Sequence, residues 1–230
     1  MNDRHHTATH HYNLGVQFES EGELERAREE FERALKEDPQ FPYPYRALGE
    51  LQYRDGEIEA ARQSLSAALR LDPGWIEVMA LLARVEYECG NNSRALELQE
   101  TALRHDPKNP EYNCLLGKIN IALNKYGEAV SCLEAALEQQ QNSAQLHYSL
   151  GIAYGKRALA DLDQSLSHWQ ACSRLDPADP QVFRNLGIAL FTKGALNEAA
   201  AAFAKSLELD PSDSVAARFL KYAEGVKQLG

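Results

Sequence analysis

The chain has 230 residues, 44% of them hydrophobic, and a formal net charge of −10. That is the make-up of a soluble globular protein, and its acidity argues against nucleic-acid binding, because phosphate affinity needs a surplus of Lys and Arg. The longest apolar run, Ala199 to Ala204, is far too short to span a bilayer, and "MNDRHHTATHHYNLG" has no apolar stretch behind its charges and does not read as a secretory signal. Cys89, Cys114, Cys132 and Cys172 lie far apart with no C-x-x-C pair, so reduced thiols in a cytoplasmic protein are expected rather than a disulfide framework.

In chain order, residues 1–7 read as a flexible leader. With His10 and His11 they make a histidine-rich tail, but no scaffold holds those rings, so no metal site is expected. From residue 8 the chain keeps time. Asp-Pro recurs at 38–39, 72–73, 106–107, 176–177 and 210–211, at intervals of 34, 34, 70 and 34. Proline lacks a backbone N–H and biases the preceding residue away from the helical region, so each pair should end a helix at about the Asp. The repeats this defines are 8–41, 42–75, 76–109, 110–143, 144–179 and 180–213.

At the seventh position of each stand Leu14, Leu48, Leu82, Leu116, Leu150 and Leu186, followed by Gly15, Gly49, Ala83, Gly117, Gly151 and Gly187. Small residues there let a second helix approach closely. Ala27, Ala61, Ala95, Ala129 and Ala199 mark that second helix, and Gly22, Gly56, Gly90, Asn124 and Gly194 stand between the two, as residue types that tolerate a left-handed turn. Each repeat is therefore two helices of about 12–14 residues and a tight turn, as expected at this period.

Two places break the rhythm. In "LEQQQNSAQ" Gln141 replaces the fourth Pro, and Asn142-Ser143 should supply the turn and cap. In "AYGKRALADLDQSL" two residues are added; the first helix is expected to run through Ala160, with Asp161 capping the second and Gln164 completing a capping box. The tail 214–230 reads as one helix with Lys221 and Glu224 on contact phases. That is the polar outer face of a capping helix, and the chain is expected to be complete at this end.

With "HYNLGVQF…AREEFERAL…DP" in the first unit and "FRNLGIAL…AAAAFAKSLELDP" in the last, the chain resembles the tetratricopeptide repeat family over residues 8–230. The resemblance implies an all-α, right-handed superhelical solenoid of six helix pairs plus a C-terminal capping helix. In that family the first helix of each pair lines a concave groove. The inward phases then hold Tyr12, Tyr43, Arg46, Tyr53, Arg84 and Tyr87 in the first half. In the second half they hold Lys118, Tyr148, Ile152, Lys156, Arg184, Asn185, Ile188, Phe191, Arg218, Phe219 and Tyr222. On those phases Arg46, Arg54 and Arg84 face Glu19, Glu50, Glu77 and Glu88, whereas Lys118, Lys156, Arg184 and Arg218 face Glu111 alone.

No Gly-rich phosphate loop, H-E-x-x-H or G-x-S-x-G occurs, and the many carboxylates read as solvated helix faces with i,i+4 partners. His105, His147 and His168 read as isolated packing or surface residues, Trp75 and Trp169 as packing, and Cys172 as core. The expectation is a non-catalytic, cofactor-free adaptor whose groove takes a protein or peptide segment that is acidic and carries an aromatic or apolar anchor. Self-assembly into homo-oligomers, or service as a regulatory subunit of an enzyme on another chain, are the alternatives. The Lys–Asn, Asn, Lys–Arg set with which family members hold a chaperone's C-terminal carboxylate is not kept: Asn13 and Asn185 match the Asn phase, but Ala47, Leu81, Leu115 and Ser149 occupy it between them.

Overall fold

The Asp-Pro clock has a simple local mechanism. Asp38 donates its own N–H to Ala34 O (2.9 Å), closing the helix, while its carboxylate accepts the Gln40 N–H (3.0 Å) and turns the chain. Asp72 repeats this with Ala68 and Gly74, and Asp210 with Ser206 and Ser212. Proline in between cannot continue the helix, and the short Asp side chain supplies the turn.

The computed structural model describes residues 2–157 and 161–227. Among the described residues there are thirteen α-helices and no strand: α1 (Asn2–Ser20), α2 (Leu24–Glu37), α3 (Pro42–Arg54), α4 (Ile58–Leu71), α5 (Ile76–Glu88), α6 (Asn92–His105), α7 (Pro110–Ala122), α8 (Tyr126–Leu137), α9 (Ala144–Arg157), α10 (Leu162–Leu175), α11 (Pro180–Lys193), α12 (Leu196–Leu209) and α13 (Ser214–Lys227). They fall into two units, 1–107 and 108–230. The first holds the pairs α1/α2, α3/α4 and α5/α6, with α2 packed on α3 and α4 on α5. The second holds α7/α8, α9/α10 and α11/α12, and α13 closes on both α12 and α11. The fold class is an all-α helical repeat.

Within each pair the small residue and its partner interlock. A Cβ placed on Gly15 would stand 2.5 Å from the Phe31 ring, and one on Gly117 would stand 2.5 Å from Leu133 Cγ. Gly49 meets Leu65, Gly151 meets Trp169 and Gly187 meets Phe203 in the same way, at 2.6 Å each. Phe31, Leu65, Leu133 and Phe203 are fully buried. The third pair departs from this pattern: Ala83 stands at the small-residue phase and Gln99 at the phase of the partner, and both are fully buried. Asn124, at φ 58°, takes the left-handed turn that Gly194 makes at φ 84°.

Residues 2–7 are helical rather than a loose leader: α1 starts at Asn2, Ala8 is fully buried, and His5 Nδ1 lies 2.6 Å from Asp38 Oδ2. Tertiary contact holds a segment whose own composition gives no helix signal. Ser143 does take over the missing proline's role, its hydroxyl accepting the Leu146 N–H at 3.3 Å. Asp161 precedes α10, but its side chain makes no cap and no capping box; both oxygens hold Arg157, at 2.7 Å each. The expected run of α9 through Ala160 lies outside the described residues.

Candidate functional site

In the first unit the first helices present aromatic rings and self-paired charges. Tyr12 lies against Phe31 and Phe41, with ring centroids 5.8 and 5.5 Å away, and Tyr43 stands 6.0 Å from Tyr12 and 5.0 Å from Trp75. Arg46 is held by both oxygens of Glu50 (2.8 and 3.0 Å), with its guanidinium 5.7 Å from the Trp75 ring. Arg54 pairs with Glu19 at 3.1 Å, one helix pair back. Tyr53 donates to Glu88 (2.5 Å), and burial, then that carboxylate, push its hydroxyl up to about 12, with Arg84 beside it acting the other way. Tyr87 is half-buried on the same helix as Glu88. Arg46 and Arg54 on this face are therefore both neutralised within the chain.

In the second unit the balance differs. Tyr148 packs edge-on against Trp169 (5.1 Å), donates to Gln181 (3.1 Å) and lies beside Asn185; burial and the nearby Asp179 raise its pKa. Ile152, Ile188, Phe191 and Phe219 are partly buried on one core cluster. Phe219 stacks on Phe203 and meets Phe191 edge-on, each at 5.6 Å, and Tyr222 extends the row while 56% exposed. Lys118 is half-buried, and Lys156 and Arg218 are exposed. Among the described residues none of these three cations makes an ion pair.

Arg184 does not belong with them. Counted from sequence as a groove cation, it lies 3.1 Å from Asp213 Oδ2, the residue that precedes α13. Asp213 is buried, and its carboxylate also accepts the Ser206 hydroxyl (3.2 Å) and the N–H groups of Val215 and Ala216, each at 3.0 Å. Burial alone would raise its pKa, but the Ala216 amide, Arg184 and Ser206 together hold it below the ordinary value. Arg184 thus fastens α13 to α11.

Trp75 is the reverse case. Read from sequence as packing alone, it joins the aromatic row of the first unit. The available signal was its place, an aromatic two residues after Asp-Pro, as Phe41 is also. His147 and His168, read as isolated, face one another with Nδ1 atoms 2.9 Å apart. His147 Nε2 is 3.2 Å from Gln141 O, and Tyr154 stacks on His168 while donating to Glu134. Burial, then His147, lower the His168 pKa, with Glu134 opposing. Cys172 is core as expected, its thiol pushed to about 11 by burial. Among the described residues no three His, Cys, Asp or Glu side chains gather as a metal site would require. An open cleft of about 500 Å³ lies away from all these residues, between α10 and the α11–α12 turn, with Asp163 and Lys193 joined across it at 2.7 Å.

Tetratricopeptide-repeat family models match residues 19–85, 86–151 and 155–214, and the chain belongs to that family. Its members are in general non-catalytic scaffolds for protein–protein contact, and no enzyme family is indicated. No curated protein sequence matches. Among solved structures, YrrB, described as a TPR protein with an unusual peptide-binding site, is similar with a TM-score of 0.70 and 24% identity over 83% of this chain and 97% of its own. A chain of the APC/C hetero-tetramer Cut9–Hcn1 gives 0.72 and 20%, over 94% of this chain and 42% of its own. MamA from Desulfovibrio magneticus RS-1 gives 0.68 and 24%, over 75% and 97%. At these identities the likeness is one of fold. No described helix is long and apolar enough to cross a membrane.

Proposed function

We propose that this protein is an adaptor that holds a short acidic segment of a partner protein on the first-helix face of residues 108–230, with an aromatic or leucine side chain of that segment as anchor. The observation that supports this reading is the contrast among cations on the first helices. Arg46, Arg54 and Arg184 are each paired within the chain, whereas Lys118, Lys156 and Arg218 have no acidic partner among the described residues. Beside Arg218, Phe219 together with Phe191 and Tyr222 offers rings against which a large side chain can lie. A partner carboxylate supplies what the chain itself withholds.

Lys156 and Arg218 are exposed, so each pairing contributes only about 0.2–1 kcal/mol, and screening by salt should weaken it. Titration of short Asp/Glu-rich peptides carrying one Phe or Leu tests the reading. Lys156→Glu with Arg218→Glu should weaken binding by about tenfold, since reversal adds repulsion to the lost attraction. Reversing Arg26 and Arg33, which pair with Glu23 and Glu30 on α2 or just before it, should change it little. Equal affinity for wild type and the Lys156/Arg218 variant would move the binding surface elsewhere, and self-assembly, checked by light scattering across concentrations, would then lead.

A further inference from the structure

The first unit carries a second surface whose chemistry differs from the one above. Tyr12, Tyr43 and Trp75 form a row of rings with steps of 6.0 and 5.0 Å, and successive planes are tilted by 52° and 62°. Tilted neighbouring rings in contact make a ridged rather than a flat wall. The middle ring, Tyr43, is 48% exposed.

The polar tips of this row are idle. Elsewhere in the chain Tyr53, Tyr126, Tyr148 and Tyr154 each donate their hydroxyl to a side chain. Among the described residues, neither the Tyr12 and Tyr43 hydroxyls nor the Trp75 indole N–H makes a hydrogen bond. The charges nearest the row are paired with one another: Arg46 lies over Trp75 with its guanidinium gripped by both oxygens of Glu50, and Glu19, which Tyr12 also feels, is held by Arg54. That grip holds the cation on the indole and leaves the row neutral.

A ligand for such a row needs apolar faces that lie against the rings, backbone carbonyls free to accept hydrogen bonds, and no charge. An α-helix or a β-strand has its carbonyls occupied. A polyproline II segment has no internal hydrogen bonds, so its carbonyls stay free along the whole row. Aromatic-lined grooves take proline-rich segments for these reasons, with little ordering entropy to overcome. We propose that Tyr12, Tyr43 and Trp75 form a docking row for an uncharged, proline-rich segment of a partner protein, with ring tips donating to its carbonyls.

The probe is a deca-proline peptide titrated into the full chain, followed by calorimetry and tryptophan emission, with a Gly/Ser peptide of equal length as control. Deca-proline should bind and shift the emission, since Trp169 is buried and Trp75 stands in the row. Tyr43→Ala should weaken binding at least tenfold with an unchanged Tm, and Tyr43→Phe, which removes only the hydroxyl, by two- to fivefold. Lys156→Glu with Arg218→Glu should leave it intact, which separates this proposal from the acidic-segment reading. Absence of binding at millimolar peptide, equal binding of the Gly/Ser control, or binding unmoved by Tyr43→Ala would overturn it. So would an acidic peptide, or a second copy of the chain, that takes the row in preference to deca-proline and is lost in Tyr43→Ala.

Discussion

Gly187→Ala adds one methyl group at a helix–helix contact, and the structure sets its cost. The new Cβ would meet Phe203 Cε1 at 2.6 Å, Cδ1 at 2.7 Å and Cζ at 2.9 Å, so α11 and the ring must separate by roughly 1 Å to reach ordinary van der Waals contact of about 3.5–4 Å. The ring has nowhere to go. Phe203 is fully buried, and Phe219 stacks on it at 5.6 Å. Overpacking of this kind costs about 1–3 kcal/mol, while replacing Gly by Ala within a helix returns up to about 1 kcal/mol. The net is a loss of about 1–2 kcal/mol.

For a chain of this length, that corresponds to a fall in Tm of roughly 2–8 °C. Thermal and urea unfolding followed by far-UV circular dichroism would read it. Gly127→Ala is the matched control, because a Cβ there meets nothing within 4 Å. It makes the same chemical change without the clash and should be neutral or stabilising. If the two variants melt alike, the interlock of small residue and ring does not hold the pairs together, and the account of the repeat core fails.

Two further outcomes follow from the second unit. Because burial keeps the folded His168 pKa below its ordinary value, the unfolded chain binds the proton more readily, and stability should fall as pH drops through about 6.5. His168→Phe, which keeps a ring beside Tyr154, should flatten that dependence in a series of melts; an unchanged slope would refute it. Asp213→Ala removes the cap of α13 and leaves Arg184 and Ser206 without their carboxylate, a loss of about 2–3 kcal/mol. In the native chain this contribution is complete above the ordinary carboxylate value and lost as pH falls through the lower folded pKa, so wild type and variant should converge in stability in strong acid.

The repeat core was legible because packing there is dictated within one pair: a small residue, and a ring or Leu on the facing helix. The early start of α1 was not, since nothing in "NDRHHTATHH" favours a helix on its own. What orders it is Ala8 buried with Ala34 and Phe41, His5 against Asp38 and His11 against Glu30, at 2.6 Å for each histidine. The inner-face charges were countable but their pairing was not. A tally cannot see that Arg46 is spent on Glu50 within its own helix while Arg184 is spent on Asp213 in the turn before the next first helix.

That last difference follows a rule of the architecture. The fifth position of each repeat, and of α13, holds Tyr12, Arg46, Ala80, Cys114, Tyr148, Arg184 and Arg218, so the fold tolerates side chains of several kinds there. In four repeats it faces the residue just before the next first helix: Tyr12 meets Phe41 ring to ring, Arg46 lies over Trp75, Tyr148 feels Asp179, and Arg184 binds Asp213. The pair at this joint therefore decides what each step offers to a ligand. An aromatic before the helix makes rings, as in the first unit; an acid before the helix consumes an arginine, as at Asp213. Arg218, the same position in α13, meets only the ring of its neighbour Phe219, at 5.8 Å, among the described residues. One backbone site, tolerant of several residue types and repeated down the chain, thus yields a neutral aromatic surface in one unit and an available cation in the other.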